Sequence, residues 1–350
     1  MDPLTHTLFG ANLAGTRLGG KTRLATAALV IGANFADLDS ILYFTGHDDL
    51  ALGFRRGWTH GVLSLVVLPF VLTALLLLYD RLRPHEHHRA SPRWLLLLSA
   101  LAMLTHPALD WLNNYGLRWL MPFRGTWFYG DSVYIMDPYL WLVLGVGWLA
   151  NQRPTFSLLA AWTIVTALLG YVVMGRSPRY LVIVVVVSIV MLVAMFWRAP
   201  RPLAGIALTI AVAYIGARIA TNAITTQRVR DDMQRQGMVV SRLMVSPLPI
   251  DPFSWDVVAQ TGDVYRYGRY RWLERSLKLD ATSLPVAKDS PEWRAAQRDP
   301  SVQGFMSWVR FPWYEIERDA RGTRVLIHDA RYAVRRQPGG GFGGVVVTLK

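Results

Sequence analysis

Residues 105–116 read THPALDWLNNYG and close an apolar run, WLLLLSALAML, that spans Trp94–Leu104. A His, an Asp and two Asn therefore end a stretch that otherwise has the composition of a membrane helix. Ionisable side chains at membrane depth are costly and mark functional sites. His106 and Asp110 are four residues apart, which places them on one face of a helix.

The rest of the chain fits a membrane protein. Of 350 residues, 52% are apolar and 17% charged, against about 25% charged in an ordinary soluble domain. The deficit is uneven: residues 1–223 hold 10 of the 24 acids and 17 of the 37 bases. Fourteen Trp and 14 Tyr suit a protein with two water interfaces. The net charge of +13 is read as positive loops that orient the chain and attract anionic lipid, in preference to nucleic-acid binding. The absence of cysteine excludes disulfides and thiolate metal sites. The N-terminus, MDPLTHTLFG, has no basic region before a long apolar core, so no secretory signal is expected there.

A bilayer core needs about 20 mostly apolar residues per helix. Spans are expected near 24–44, 58–79, 94–115, 133–150, 155–174, 180–197 and 203–223, with a shorter helical arm over 3–19 that turns at Gly19–Gly20. The expected fold is a polytopic α-helical membrane protein with seven or eight helical elements and a small, mainly β C-terminal domain. Its parts are a metal-site helical domain over 1–150, additional transmembrane helices over 151–223, and a soluble unit over 224–350. That tail opens with a polar helix candidate, TTQRVRDDMQRQG. Strand signals follow in GDVYRYGRYRWL, MSWVRFPWYEIERD, TRVLIHDARYAV and GGVVVTLK, with a short helix near PEWRAAQRD. Gly339–Gly344 reads as a hairpin turn and not a phosphate loop, for it lacks the Lys-Ser/Thr ending.

Alternating spans bring the start of one helix and the end of the next to the same side. His6 begins the first arm, Asp37 and Asp39 end the second, His60 begins the third, and His106 and Asp110 end the fourth. Six metal-ligand residues thus converge on one rim. Asp37 and Asp39 would diverge on a regular helix, so they bind jointly only if the helix frays, or one of them supports the other. A set of nitrogen and carboxylate donors suits Zn²⁺, with Mn²⁺ or Fe²⁺ as alternatives, and six donors are enough for one or two ions. Asp137 or Asp131 could add a carboxylate as ligand or general base. Arg56 and Arg124, on the same side, could hold an anionic group of the substrate. The loop histidines His85, His87 and His88 lie on the opposite side and read as solvated. His328 falls in a strand pattern and reads as structural.

On these pieces, PLTHTLFG, NFADLDS, RGWTHG and THPALDWLNNYG with the later MPF and Asp137–Pro138, the sequence resembles the bacterial membrane-bound metal-dependent hydrolases, the YdjM-like family. The match covers roughly residues 1–140. The resemblance implies a hydrolase in the cytoplasmic membrane, distantly similar to zinc phospholipase C and P1-type nucleases. It makes His6, Asp37, Asp39, His60, His106 and Asp110 the presumed metal ligands. Location at a membrane rim points to a lipid-like, anionic ester as substrate and to membrane lipids as neighbours.

Two rival classes remain. One is a transporter or proton pathway built on buried His and Asp; against it, residues 155–223 contain no acid. The other is a metal-stabilised scaffold without activity. Loop arginines and lysines number ten on one side (Arg17, Lys21, Arg23, Arg81, Arg83, Arg89, Arg93, Arg153, Arg198, Arg201) and six on the other. The bias places the site and the tail outside the cytoplasm. A topology reporter fused after Lys350 should therefore read as periplasmic, and a cytoplasmic signal would reverse the orientation.

Overall fold

The computed structural model describes residues 1–45, 48–83, 89–150, 152, 155–174, 178–196, 203–319, 322–333 and 344–349. The N-terminal helices follow from local signals. Asp2 caps helix α1 (Pro3–Gly15), accepting the Thr5 N–H, and Pro3 stands in its first turn. Helix α2 (Ala25–Gly32) then breaks, and a 3₁₀ helix (Phe35–Thr45) leaves it at 50°. The expected span 24–44 is therefore a bent pair. A short α3 (Asp48–Phe54) leads into α4 (Val62–Leu82) and α5 (Pro92–Trp111).

Helix α6 (Pro138–Leu149) is 12 residues long, shorter than the expected span 133–150, whose first residues are non-helical. Its start is set by Asp137, whose carboxylate accepts the Tyr139 and Leu140 N–H groups, and by Pro138. Helices α7 (Phe156–Met174) and α8 (Pro178–Phe196) match the expected segments. Helix α9 (Leu203–Arg235) runs through residue 223 without a break, so the polar segment TTQRVRDDMQR continues the last apolar helix instead of starting a new one. Among the described residues, α4, α5 and α9 are long and apolar enough to cross a membrane, or four spans if the bent pair is one. Outward-facing apolar side chains on α4, such as Val66 and Phe70, present the face expected toward lipid.

The tail folds as two antiparallel meanders: β1 (Val240–Pro247), β2 (Ser254–Thr261), β3 (Val264–Arg271) and β4 (Ser276–Pro285) in one, β5 (Pro312–Asp319), β6 (Gly322–Asp329) and β7 (Gly344–Leu349) in the other. Between them lie α10 (Pro291–Gln297) and α11 (Pro300–Trp308); α12 (Ala330–Ala333) follows β6. Short helices here and at α3 bring the total among the described residues to 13, counting the 3₁₀ helix, above the seven or eight expected. Strands β1, β2 and β4 are additional to the expected strand segments. β4 is largely exposed and polar, so it pairs by its backbone without an apolar stripe. The β2–β3 turn is Gly262–Asp263, with Gly262 at φ 58° as such a tight hairpin requires. In β3, Tyr265 and Tyr267 are buried on one face and Tyr270 on the other, so the aromatics of YRYGRYRW are core residues of both faces of the strand. His328 stacks on Trp313 at 4.9 Å, a structural role as expected. Residues 334–343 and the histidines 85, 87 and 88 lie outside the described residues.

Among the described residues, two apolar clusters join the tail to the helices. Val229 and Met233 of α9 pack with Val245, Trp255, Val257 and Tyr270. Tyr115 and Trp127 of the α5–α6 connection pack with Trp293, Phe305 and Trp308. In the helical part, Gly10 lets α1 lie directly on α2: an added Cβ would stand 2.6 Å from the Leu29 carbonyl oxygen and 3.0 Å from the Ala33 Cβ. Gly10→Val should destabilise the protein by about 1–3 kcal/mol through overpacking. Gly205→Ala, where nothing lies within 4 Å, should be neutral or stabilising. Thermal unfolding in detergent checks both, and a silent Gly10→Val would mean that α1 and α2 do not pack in this way.

Candidate metal centre

Four side chains meet where the bent pair, the turn before α4 and the end of α5 converge. Asp37, His60, His106 and Asp110 each offer one donor atom, and these atoms all lie within 4.8 Å of one another. His60 Nε2 is 3.1 Å from His106 Nε2 and 3.2 Å from Asp110 Oδ2. His106 Nε2 is 3.5 Å from Asp110 Oδ2. Asp37 Oδ1 stands 3.8 Å from His60 Nε2 and 3.7 Å from His106 Nε2. A tetrahedron with metal–ligand bonds of 2.0–2.1 Å has edges of about 3.3–3.4 Å. Five of the six edges, at 3.1–3.8 Å, lie near that length, and the sixth, between the two carboxylate oxygens, is within 4.8 Å.

The far side of each imidazole fixes its state. His106 Nδ1 is 2.6 Å from the Ala33 carbonyl oxygen, so it carries the proton and donates. Nε2 is then a lone pair aimed at the cluster. His60 Nδ1 is 2.8 Å from Thr59 Oγ1 and 3.5 Å from Asp39 Oδ2, and a proton there leaves its Nε2 in the same state. Two lone pairs and two carboxylate oxygens facing one another repel unless a cation lies between them. Asp37 Oδ1 and Asp110 Oδ2 have no hydrogen-bond partner, so the two oxygens aimed at this centre are left for such a cation. The donor set fits a divalent metal with nitrogen and oxygen preferences.

The break after α2 decides which acid enters. Asp37 lies in the first turn of the 3₁₀ helix and points inward. Asp39 points to the turn that carries His60: its Oδ2 accepts the Arg56 N–H at 3.0 Å and the Thr59 hydroxyl at 2.7 Å. Those bonds hold Arg56 at φ 51°, a conformation a non-glycine residue rarely adopts unsupported. Asp39 thus positions a ligand and is not in the four-donor set.

His6 is also beside the set and not in it. Its ring stacks on His106 with centroids 3.8 Å apart, and its Nε2 lies 3.3 Å from Asp110 Oδ1. That same oxygen accepts Arg56 Nη2 at 2.9 Å and the Met1 amino group. Asp110 therefore turns one oxygen to the four-atom centre and the other to cations of the chain, which leaves the Oδ1 side crowded for the second ion that six ligands would permit. Arg56 is buried, bonded also to Asn113 Oδ1 at 3.1 Å, and its guanidinium lies 4.5 Å from the Tyr115 ring.

The remaining candidates lie elsewhere. Arg124 is exposed on the turn over 120–124, where its N–H bonds the Leu120 carbonyl. Asp137 caps α6 and accepts the Tyr214 hydroxyl at 2.9 Å. Asp131 pairs with Arg310 at 2.8 Å; burial raises its carboxyl pKa, and the Arg310 charge opposes that rise. What the sequence did not expose is Asn113 as a partner of Arg56 and the tail's grip on the segment after Asp110. Arg331 Nη1 donates to the Asn114 carbonyl at 2.6 Å, Trp308 Nε1 to the Tyr115 carbonyl at 3.3 Å, and Trp127 Nε1 to the Ser307 carbonyl at 2.5 Å. These pairs join residues up to 217 positions apart, beyond any local pattern.

The four-donor centre falls within a stretch that known proteins share. Residues 1–179, just over half of the chain, match the family described as YdjM inner membrane protein. The chain belongs to that family. It is also similar to the uncharacterized protein YfhP of Bacillus subtilis (strain 168), with 25% identity over 182 residues. That match covers 49% of this chain and 52% of the relative, so the chain spans about half the length of the curated relative it matches. No solved structure matches. Neither description names a hydrolase or a nuclease; family and apolar helices together show a membrane protein.

The geometry separates ligands from supports. His6→Ala and Asp39→Ala should keep full metal stoichiometry at saturating ion, with Asp39→Ala weakening affinity about 10–100-fold. Metal titration of the purified variants checks this; loss of stoichiometry in either would restore that residue as a ligand.

Proposed function

We propose that this chain is a membrane-embedded, metal-dependent hydrolase whose cage is Asp37, His60, His106 and Asp110. The observation that carries the reading is the pair of facing Nε2 atoms, 3.1 Å apart, with both carboxylates beside them. Zn²⁺ fits the donors best, with Mn²⁺ or Fe²⁺ as alternatives. Such an ion supplies Lewis-acid activation of water and of an ester oxygen.

The chain's own groups take the other roles. Arg56 donates to Asp110 Oδ1 at 2.9 Å, which places a guanidinium beside the buried carboxylate on the side away from the four-donor centre. Ala33, Thr59 and Asp39 keep both imidazoles in the metal-binding tautomer. Asp37 is the ligand with solvent exposure, its side chain 14% exposed against 0% for the other three. It marks the side from which water and substrate arrive and is the carboxylate placed to accept a proton from water. Asp137, occupied as a helix cap, is not proposed for that step. The substrate is an ester or phosphoester with an apolar tail, since the site opens among membrane helices. The loop-charge bias supports a periplasmic location for the site.

Four protein donors around one ion also suit a structural metal, because closed tetrahedral shells are typical of structural sites. Co²⁺ substitution separates the two readings. A catalytic centre should give a spectrum that changes on adding phosphate, as an open or exchangeable position requires; an unchanged four-coordinate spectrum would favour the scaffold. His106→Ala and Asp110→Asn should lose the ion while remaining inserted in the membrane. Metal-free wild-type protein after reconstitution would turn the reading toward proton or ion transport.

A further inference from the structure

Two adjacent arginines stand at the centre, and they are not equivalent. Arg56 is 1% exposed and spends its guanidinium on Asp110, Asn113 and the Gly116 carbonyl. Arg118 is likewise committed, donating to the Gly53 and Arg55 carbonyls at 2.5 and 3.1 Å. Arg55 differs. Its side chain is 25% exposed, and its nearest acid, Asp37 Oδ1, is 3.8 Å from Nη2, beyond hydrogen-bonding distance. Its Nε is buried and has no hydrogen-bond partner. A guanidinium carries five donors in a planar fork suited to carboxylate or phosphate.

Besides the long ion pair with Asp37, Arg55 is held in place by rings. Its guanidinium lies 5.4 Å from the Tyr43 ring and 6.0 Å from the Tyr115 ring. Asp37 Oδ1, the atom it approaches, is itself buried, belongs to the one cage side chain with solvent exposure, and lies 3.7–3.8 Å from both Nε2 atoms. An oxyanion bridging Arg55 and the cage would therefore span a single phosphate or carboxylate group. A cation in the cage would draw the Asp37 charge toward itself, leaving Arg55 with less of its present partner.

The 3₁₀ helix whose Asp37 and Tyr43 approach Arg55 carries exposed apolar side chains on an adjoining face. Leu38, Ile41 and Phe44, on the same 3₁₀ helix as Asp37 and Tyr43, are 55%, 63% and 88% exposed. Trp58, three residues beyond Arg55, is 48% exposed. A charged group at Arg55 would leave an attached chain running along this face, with the aromatic Trp58 suited to a membrane–water boundary.

We propose that Arg55 is the specificity residue of the site, binding the anionic headgroup of a membrane amphiphile whose tail lies on Leu38, Ile41 and Phe44. This deepens the hydrolase reading and rests on it for the chemistry, but the recognition itself requires only Arg55 and the apolar face. The shared chemistry is a tetrahedral oxyanion, and the lipid headgroup is preferred over free phosphate because of that face.

The test uses the full-length protein in neutral detergent, with dodecyl phosphate as probe and binding followed by ³¹P NMR and calorimetry. Wild-type protein should bind it, with inorganic phosphate and dodecyltrimethylammonium each weaker by about tenfold or more. Arg55→Gln should lose about tenfold in affinity, Arg55→Lys less, and Arg124→Gln nothing, with metal content unchanged in all three. In Co²⁺-loaded wild type, the bound ³¹P signal should broaden, a readout that needs no variant to fold. Wild-type affinity in Arg55→Gln, equal binding of the cationic detergent, or an unbroadened signal would overturn the assignment. Inorganic phosphate binding as tightly as dodecyl phosphate would overturn the lipid part. If wild-type protein holds no metal yet binds dodecyl phosphate through Arg55, the hydrolase reading fails and the recognition stands.

Discussion

A fully buried carboxylate on an apolar helix is the constraint from which the rest of the helical part follows. Asp110 is 0% exposed, and an unpaired charge there would cost far more than the protein's net stability. The fold answers by surrounding it. His6 from α1, His60 from the turn before α4, His106 from its own helix and Arg56 from the loop all reach its two oxygens. Three separate chain segments, α1, the turn over Arg56–His60 and α5, are thereby held to one point. The division between the two oxygens matters most: one faces fixed cations of the chain, the other faces ring nitrogens that are lone pairs. The first half stabilises the fold, and the second leaves a place for an ion.

That arrangement depends on irregular backbone. The break after Gly32 turns the chain by 50°, brings the Ala33 carbonyl to His106 and sends Asp37 and Asp39 in different directions. A continuous helix would keep its carbonyls within its own ladder and could not offer one to an imidazole so freely. Broken helices at membrane depth are tolerated where they are buried in protein or line a cavity, and here the break serves both histidine orientation and ligand choice. The αL conformation of Arg56 is a second local departure, held by Asp39 of the 3₁₀ helix that follows the break.

The β tail contributes from a distance. Among the described residues it supplies no donor to the cage, but Arg331 and Trp308 hold the carbonyls of Asn114 and Tyr115. Those residues directly follow Asn113, which holds Arg56. Arg331 is itself fixed by Asp329 at 2.7 Å; burial alone would lower its pKa, but the Asp329 charge outweighs burial and leaves it raised. The tail therefore braces the segment on which the charge balance of Asp110 depends, and the helices are not independent of it.

Much of this was written in local pattern. The apolar runs, the paired spacing of His106 and Asp110, the Asp2 and Asp137 caps and the hairpin alternation all act within a few residues, and so the rim on which six His and Asp gather could be read directly. The β4 strand escaped because a mostly exposed strand needs no apolar stripe. Which residues of the rim are ligands was decided only by tertiary structure. Asp37 and Asp39 differ by two positions and by nothing in chemistry; the bend after α2 separates their roles. Arg55 and Arg56 are neighbours with identical side chains, and one is buried on Asp110 while the other faces the opening. Sequence spacing specifies which face of an element a residue occupies, but the direction of a side chain at a break or a turn is set by what packs there. At this centre every decisive side chain except those on α5 lies at a helix end, a break or a turn.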